Sequence, residues 1–206
     1  MRVASSRPWL RGSAPGWGRR LMVAAGLVAL AGLEIFGHLR EAAPLGNGLV
    51  EIRYSPATDL ERIDLALLRS ATRSIDLAAY LVTDIAVIEA LADAAERGVR
   101  VRLYLDGEQE GAGPGFAGRV RNLRGASRIE VRLKPPRSEI MHLKSYCVDG
   151  MVLRTGSANF TVWGLKREDD DLVVIRDPAA IARFEANFQM MWRRAGNLSE
   201  ASGTKL

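Results

Sequence analysis

His142 and Lys144 stand two residues apart in the run Met141–Val148, whose apolar content predicts a β-strand. Strand side chains alternate between faces, so an imidazole and an ammonium group project side by side. Asp149-Gly150 follows as a hairpin-turn pair, and Met151–Thr155 predicts the returning strand. Directly after it comes Gly156-Ser157-Ala158-Asn159. A small Gly-Ser turn lets backbone N–H groups approach an oxyanion, and Asn159 adds an amide donor. An imidazole, a cation and neutral donors are what in-line attack on a phosphodiester requires. In that chemistry His142 is the nucleophile, while Lys144 and Asn159 hold the non-bridging oxygens.

The only other histidine, His38, lies in an apolar N-terminal stretch. A reaction needing two imidazoles must therefore draw the second from another copy of the chain. Asp149 has two readings, as a turn residue or as part of the chemistry. Ser157 has two as well, as a small turn residue or as a phosphate contact beside Gly156. Phe160 and Trp163 are read as core or dimer contacts, with base stacking as the alternative.

Charge is unevenly spread over the 206 residues, whose formal net charge is +5. Residues 1–40 hold six arginines against Glu34, and the remainder balances 23 basic with 23 acidic groups. The global charge is thus poor evidence for nucleic-acid binding. Locally, residues 119–137 carry six arginines and Lys134 against Glu130 alone, a block able to attract a polyanion or to form a solvated face. Lys134 and Arg137, just upstream of His142, are candidates to line a substrate groove. Cys147 is the sole cysteine, which excludes an intrachain disulfide and a Cys-based metal site.

Several elements must position these groups. Leu49–Tyr54, Ser74–Tyr80, Arg100–Leu105 and Ile129–Leu133 predict strands. Helical spacing is predicted over 59–71; a second helix, capped by Thr83-Asp84, runs through Ile88, Leu91 and Ala95 to Gly98; and a third covers about 178–195 with Ile181, Phe184, Phe188 and Met191 on one face. Residues 107–118 are Gly-rich and read as a loop. Strands alternating with helices imply a layered α/β domain over 49–195, with 41–48 as a linker and 196–206 as a polar tail. Upstream, the charge-free run Leu21–Leu33 after Arg19-Arg20 predicts a signal or membrane-anchor segment within 1–40. Export, or anchoring through residues 21–39, is the expected location.

The pattern His142-x-Lys144-(x)4-Asp149-(x)6-Gly156-Ser157-x-Asn159 resembles the signature of the phospholipase D superfamily, and the resemblance extends over about 49–195. It looks closest to short members with one such motif per chain: bacterial endonucleases and mitochondrial cardiolipin hydrolase-like proteins. The resemblance implies a mixed central sheet flanked by helices and a two-step displacement without metal or cofactor. One histidine would form a phosphohistidine, and a second would protonate the leaving alkoxide and activate water. In single-motif members a homodimer supplies both, which fits the histidine count. The family also places a carboxylate behind the histidine. Here that position falls on Asp170 within Glu168-Asp-Asp-Asp171, where many relatives have Glu-Asn, so Asp170 and Asp171 both stand as candidates. Nucleic acid is the expected substrate, a phospholipid headgroup the alternative, and a non-catalytic nucleic-acid-binding module the third reading.

Overall fold

A computed structural model describes residues 48–108, 123, 128–136 and 139–199. The expected signal or anchor segment at 1–40, most of the expected linker and most of the Gly-rich stretch lie outside the described residues. In chain order the elements are β1 (Val50–Tyr54), α1 (Leu60–Ser70), β2 (Ser74–Ala79), α2 (Ile85–Glu96), β3 (Arg100–Asp106), β4 (Ile129–Lys134), β5 (Lys144–Val148), β6 (Val152–Thr155), α3 (Val162–Lys166), β7 (Asp171–Ile175), α4 (Pro178–Trp192) and β8 (Leu198–Ser199). They build one eight-stranded mixed sheet in the order β1-β7-β6-β5-β2-β3-β4-β8. β2, β3 and β4 run parallel, and the remaining pairs are antiparallel.

Each long helix starts where a carboxylate satisfies a free amide. Asp59 accepts from Arg62 N, Asp84 from Val87 N and Asp177 from Ala180 N, with Pro178 opening α4. Leu60, Ile63, Leu67 and Leu68 of α1 and Val87, Ile88 and Leu91 of α2 bury against Ile75, Leu77, Val101 and Leu103 of the sheet. Burying each such side chain stabilises the fold by ~1.5–3 kcal/mol. The opposite face holds α4, whose Phe188, Met191 and Trp192 pack with Ala78, Tyr104 and Met141. The result is the expected α/β sandwich of helices on both faces of a sheet.

The basic positions of β3 and β4 turn toward α4. Arg102 pairs with Asp76 through Nε at 2.7 Å and lies 5.0 Å from the Phe188 ring and 5.2 Å from the Trp192 ring. Arg132 covers the other contact, 4.5 Å from the Trp192 ring. Guanidinium groups stacked on aromatic faces fasten this helix to the sheet.

Three expectations are corrected. β5 begins at Lys144, so His142 lies in the extended segment before it and not within it. Strand pairing continues past the expected boundary at 195, because β8 pairs with β4 at Leu198↔Leu133. β7 and the short α3 have no counterpart among the expected elements, since β7 starts on Asp171, inside an acidic run that reads as a solvated turn.

Candidate active site

Four chain segments converge at the edge of the sheet where the parallel strands end, the usual place for a ligand in α/β sheets. Tyr80 follows β2, and its amide donates to the Leu143 carbonyl at 2.8 Å. That bond prolongs the β2–β5 ladder and holds His142 extended just outside it. The Tyr80 ring meets the imidazole edge-on with centroids 4.6 Å apart, and Lys144 Nζ lies 5.0 Å from the same ring's centroid. Lys144 Nζ also donates to the His142 carbonyl at 2.9 Å. The imidazole is exposed, whereas the lysine side chain is buried beneath it. Burial lowers the Lys144 pKa, and the negative charge of Asp170 opposes that shift.

The loop after β6 adds the second half. A Cβ at Gly156, whose φ is +140°, would collide with the Asp171 carbonyl, so only glycine fits. Ser157 N donates to Asp171 Oδ1 at 2.7 Å and Ala158 N to Asp171 O at 3.2 Å. These amides are engaged by the protein itself, which corrects the expectation that the turn offers them to an oxyanion. Asn159 Oδ1 is buried without a hydrogen-bond partner. An orphaned buried polar atom calls for a functional explanation. That oxygen is an acceptor and could not itself meet a phosphate oxygen; the donors that these motif side chains carry are Lys144 Nζ and the Asn159 amide nitrogen.

The acidic turn before β7 is set by Ser55, which the sequence did not mark. Ser55 N donates to Asp170 O at 2.9 Å, and its hydroxyl donates to Glu168 O at 2.6 Å. Asp170 Oδ1 accepts from Ser157 Oγ at 2.7 Å. Asp171 holds the loop backbone, while Asp170 faces Lys144, which separates the two candidates by role. Neither carboxylate hydrogen-bonds the His142 ring among the described residues, so the expected orienting bond is not formed within one chain. Asp170→Asn should move the titration of Lys144 to lower pH, because the influence that raises its pKa is removed. A pH titration of Lys144 Cε by 13C NMR measures this, and a shift in the other direction contradicts the assignment.

Residues 65–192 match the family described as Cardiolipin synthase, PLD-like domain. The mitochondrial cardiolipin hydrolase of Chlamydomonas reinhardtii is 30% identical over 69% of this chain and 60% of its own length. That of Xenopus laevis is 29% identical over 85% of this chain and 90% of its own. Among solved structures, Nuc from Salmonella typhimurium, a phospholipase D family member, superposes with a TM-score of 0.66 at 28% identity, covering 73% of this chain and 96% of that one.

The chain belongs to the phospholipase D superfamily. The relatives just described are named as a hydrolase of cardiolipin and a phospholipase D family member, and membership bears on how the remaining motif positions are to be read. Asp149, the aspartate of the superfamily pattern, sits at the far end of β5, five residue steps or ~16 Å along the strand from Lys144. Its carboxylate accepts from Thr72 N at 2.9 Å, Thr72 Oγ1 at 2.8 Å, Arg73 N at 2.7 Å and Ser74 N at 2.8 Å. Asp149 is thus corrected from a candidate in the chemistry to the clasp that ties the α1–β2 loop to the β5–β6 turn. Partial burial raises its pKa, but the Ser74, Thr72 and Arg73 donors outweigh that and hold it below the ordinary carboxylate value.

Because its folded-state pKa is depressed, Asp149 contributes stability above the unfolded carboxylate pKa and loses it as pH falls through the folded one. Asp149→Ala should therefore cost ~2 kcal/mol near neutral pH. The cost should fade in acid, and kcat of the folded fraction should stay near wild type. Urea unfolding at several pH values, with kinetics alongside, checks both.

Lys134 is likewise relocated. It is only 8% exposed, and its Nζ donates to the Glu139 carbonyl. Asp106 Oδ2 accepts from Met141 N at 2.6 Å. Together they pin the segment that carries His142 along the sheet edge, so Lys134 positions that segment and does not line a groove. Arg137 lies outside the described residues, as do Arg119, Arg121 and Arg124. Trp163 is 61% exposed, stacked by Arg167 at 5.1 Å, while Phe160 is fully buried. Among the described residues no three His, Cys, Asp or Glu side chains are grouped to hold a metal ion, and no helix is long and apolar enough to cross a membrane.

Proposed function

We propose that the protein hydrolyses nucleic-acid phosphodiesters through a phosphohistidine at His142. The observation that carries this reading is the meeting of an exposed imidazole, a buried ammonium and Asn159 at one sheet edge. His142 Nε2 or Nδ1 attacks phosphorus in line, and the P–O bond to the leaving alkoxide breaks as the N–P bond forms. Lys144 and Asn159 stabilise the charge gathering on the non-bridging oxygens. A second imidazole, His142 of the partner subunit in a two-fold dimer, gives the leaving oxygen its proton and then takes one from the water that cleaves the N–P bond. Support for a polymeric substrate comes from the open placement of His142 and from the arginines of the 119–137 block other than Arg132, which Trp192 engages.

A second reading, phospholipid headgroup hydrolysis, is favoured by exposed Tyr54, Ile140, Val162 and Trp163, which lie in segments adjoining the same edge. The relatives named as cardiolipin hydrolases favour it too. Export or membrane attachment through residues 21–39 would suit either substrate, and fractionation of cells producing the full chain tests it. The deciding experiment incubates the full chain with single- and double-stranded DNA, RNA and cardiolipin vesicles, with and without EDTA. Nucleic-acid cleavage unaffected by EDTA is expected. Lipid turnover alone would transfer the proposal to the second reading, and EDTA inhibition reversed by a divalent cation would refute the phosphohistidine route.

A further inference from the structure

Arg154 on β6 is fully buried, and so is Asp64 on α1. The two form a fork-to-fork pair, Nε to Oδ1 at 2.9 Å and Nη2 to Oδ2 at 3.0 Å. Tyr146 Oη donates to the same carboxylate at 2.8 Å, and the Phe160 ring covers the guanidinium at 4.4 Å from its centroid. An ion pair this deep is seldom worth more to stability than well-packed apolar side chains of similar size, because both ions must be stripped of water. Its remaining hydrogen bonds point to another use. Arg154 Nη1 donates to the Lys144 carbonyl at 2.8 Å, and both Nη atoms reach the Ala158 carbonyl at 3.3 Å.

Those two carbonyls belong to the two halves of the site. One is the backbone of Lys144 itself, and the other immediately precedes Asn159. Lys144 opens β5, whereas Ala158 lies in the loop after β6, and the β5–β6 ladder (Tyr146↔Arg154 to Val148↔Val152) ends before either group. The Ser145–Thr155 hydroxyl contact at 2.8 Å and the extension of β2, whose Leu81 carbonyl accepts from Phe160 N at 3.2 Å, are further ties, but neither bonds the Lys144 and Ala158 carbonyls directly as Arg154 does. A planar guanidinium offers five donors in fixed directions, so one side chain can hold two carbonyls at a set separation while Asp64 fixes its own orientation.

We propose that Arg154, oriented by Asp64, is a positioning residue that sets the spacing between Lys144 and Asn159. It touches no substrate and acts through the backbone of the two groups that do. The inference rests on the proposed phosphodiester chemistry for its kinetic readout, since misplacement of reacting groups by about 1 Å can cost ~10²-fold in rate.

The test uses the full chain in two variants. Arg154→Lys keeps a cation opposite Asp64 but cannot hold both carbonyls. Asp64→Asn/Arg154→Met removes the charges together and leaves Tyr146 an acceptor, so no buried ion is stranded. Each is assayed on bis(p-nitrophenyl) phosphate, with the folded fraction measured by circular dichroism. In parallel, NMR follows the Asn159 side-chain amide and Lys144 Cε without needing turnover.

Both variants should lose about tenfold or more in kcat per folded molecule with KM changed less than twofold. The Lys144 and Asn159 signals should move while those of α2 stay in place. Wild-type kcat in folded Arg154→Lys, or unmoved Lys144 and Asn159 signals in either variant, would overturn the proposal. If wild type does not turn over the phosphodiester, the chemistry fails, and the NMR shifts still decide the positioning role.

Discussion

His142→Ala is expected to lower phosphodiester hydrolysis by at least ~10⁴-fold, the scale seen when a covalent nucleophile is removed. No other imidazole lies within the matched residues 65–192, because His38 is N-terminal to them. The same variant should carry no phosphate after rapid quenching, whereas wild type quenched under mild base should hold labelled phosphate on His142. The fold should be unaffected, since the residue is exposed and its ring contact among the described residues is the T-shaped one with Tyr80. Hydrolysis persisting in a folded His142→Ala protein would remove the nucleophile from the mechanism. Mixed dimers extend the argument. If both rings serve one phosphorus atom, a dimer holding one wild-type and one substituted chain should be almost as inactive as the doubly substituted form. Half of wild-type activity would instead mean two independent sites.

Lys144→Ala should reduce kcat by ~10²–10³-fold, the effect of deleting one preorganised donor to a developing oxyanion. Its setting makes the contribution large. The ammonium is fixed by the His142 carbonyl and the Tyr80 ring, so little reorganisation is needed as charge appears on the phosphate oxygens. Burial also reduces competition from water. Lys144→Arg should recover little, because a planar guanidinium is not held as a compact ammonium is by the His142 carbonyl and the Tyr80 ring. Steady-state kinetics check both variants. A loss confined to KM would show that Lys144 binds ground state and transition state alike, contrary to the assigned role.

Where local pattern was enough, expectation and structure agree. The 3.6-residue spacing of Leu60, Ile63 and Leu67 and the Asp caps define α1 and α2 because helix formation depends on neighbours within a turn. The alternation in Arg100–Leu105 and Ile129–Leu133 defines β3 and β4 for the same reason. Disagreement falls where a residue's partner is distant in sequence. Asp149 fits a hairpin turn equally well with or without a catalytic task, and only its bonds to residues 72–74 reveal the clasp. Tyr80 closes an expected strand, yet nothing in that strand announces that it will face His142. Lys134 looks like a groove lysine until Glu139 is seen to fold back over it.

The sequence by itself determined the motif, the order of its residues and one consequence of counting: with a single histidine after residue 38, any two-histidine chemistry in the domain would need a second chain. It also determined the alternation of strands and helices, since both periods are local properties of the chain. Only the tertiary structure decided which groups meet. β5 pairs with β2 and not with β4, so Tyr80 is brought against His142, and β7 follows β6, so Asp170 reaches Lys144. The buried Arg154–Asp64 pair joins elements ninety residues apart in the chain. Strand order is chosen by the burial of whole faces against several helices at once, a sum over distant contacts that no short stretch of residues contains.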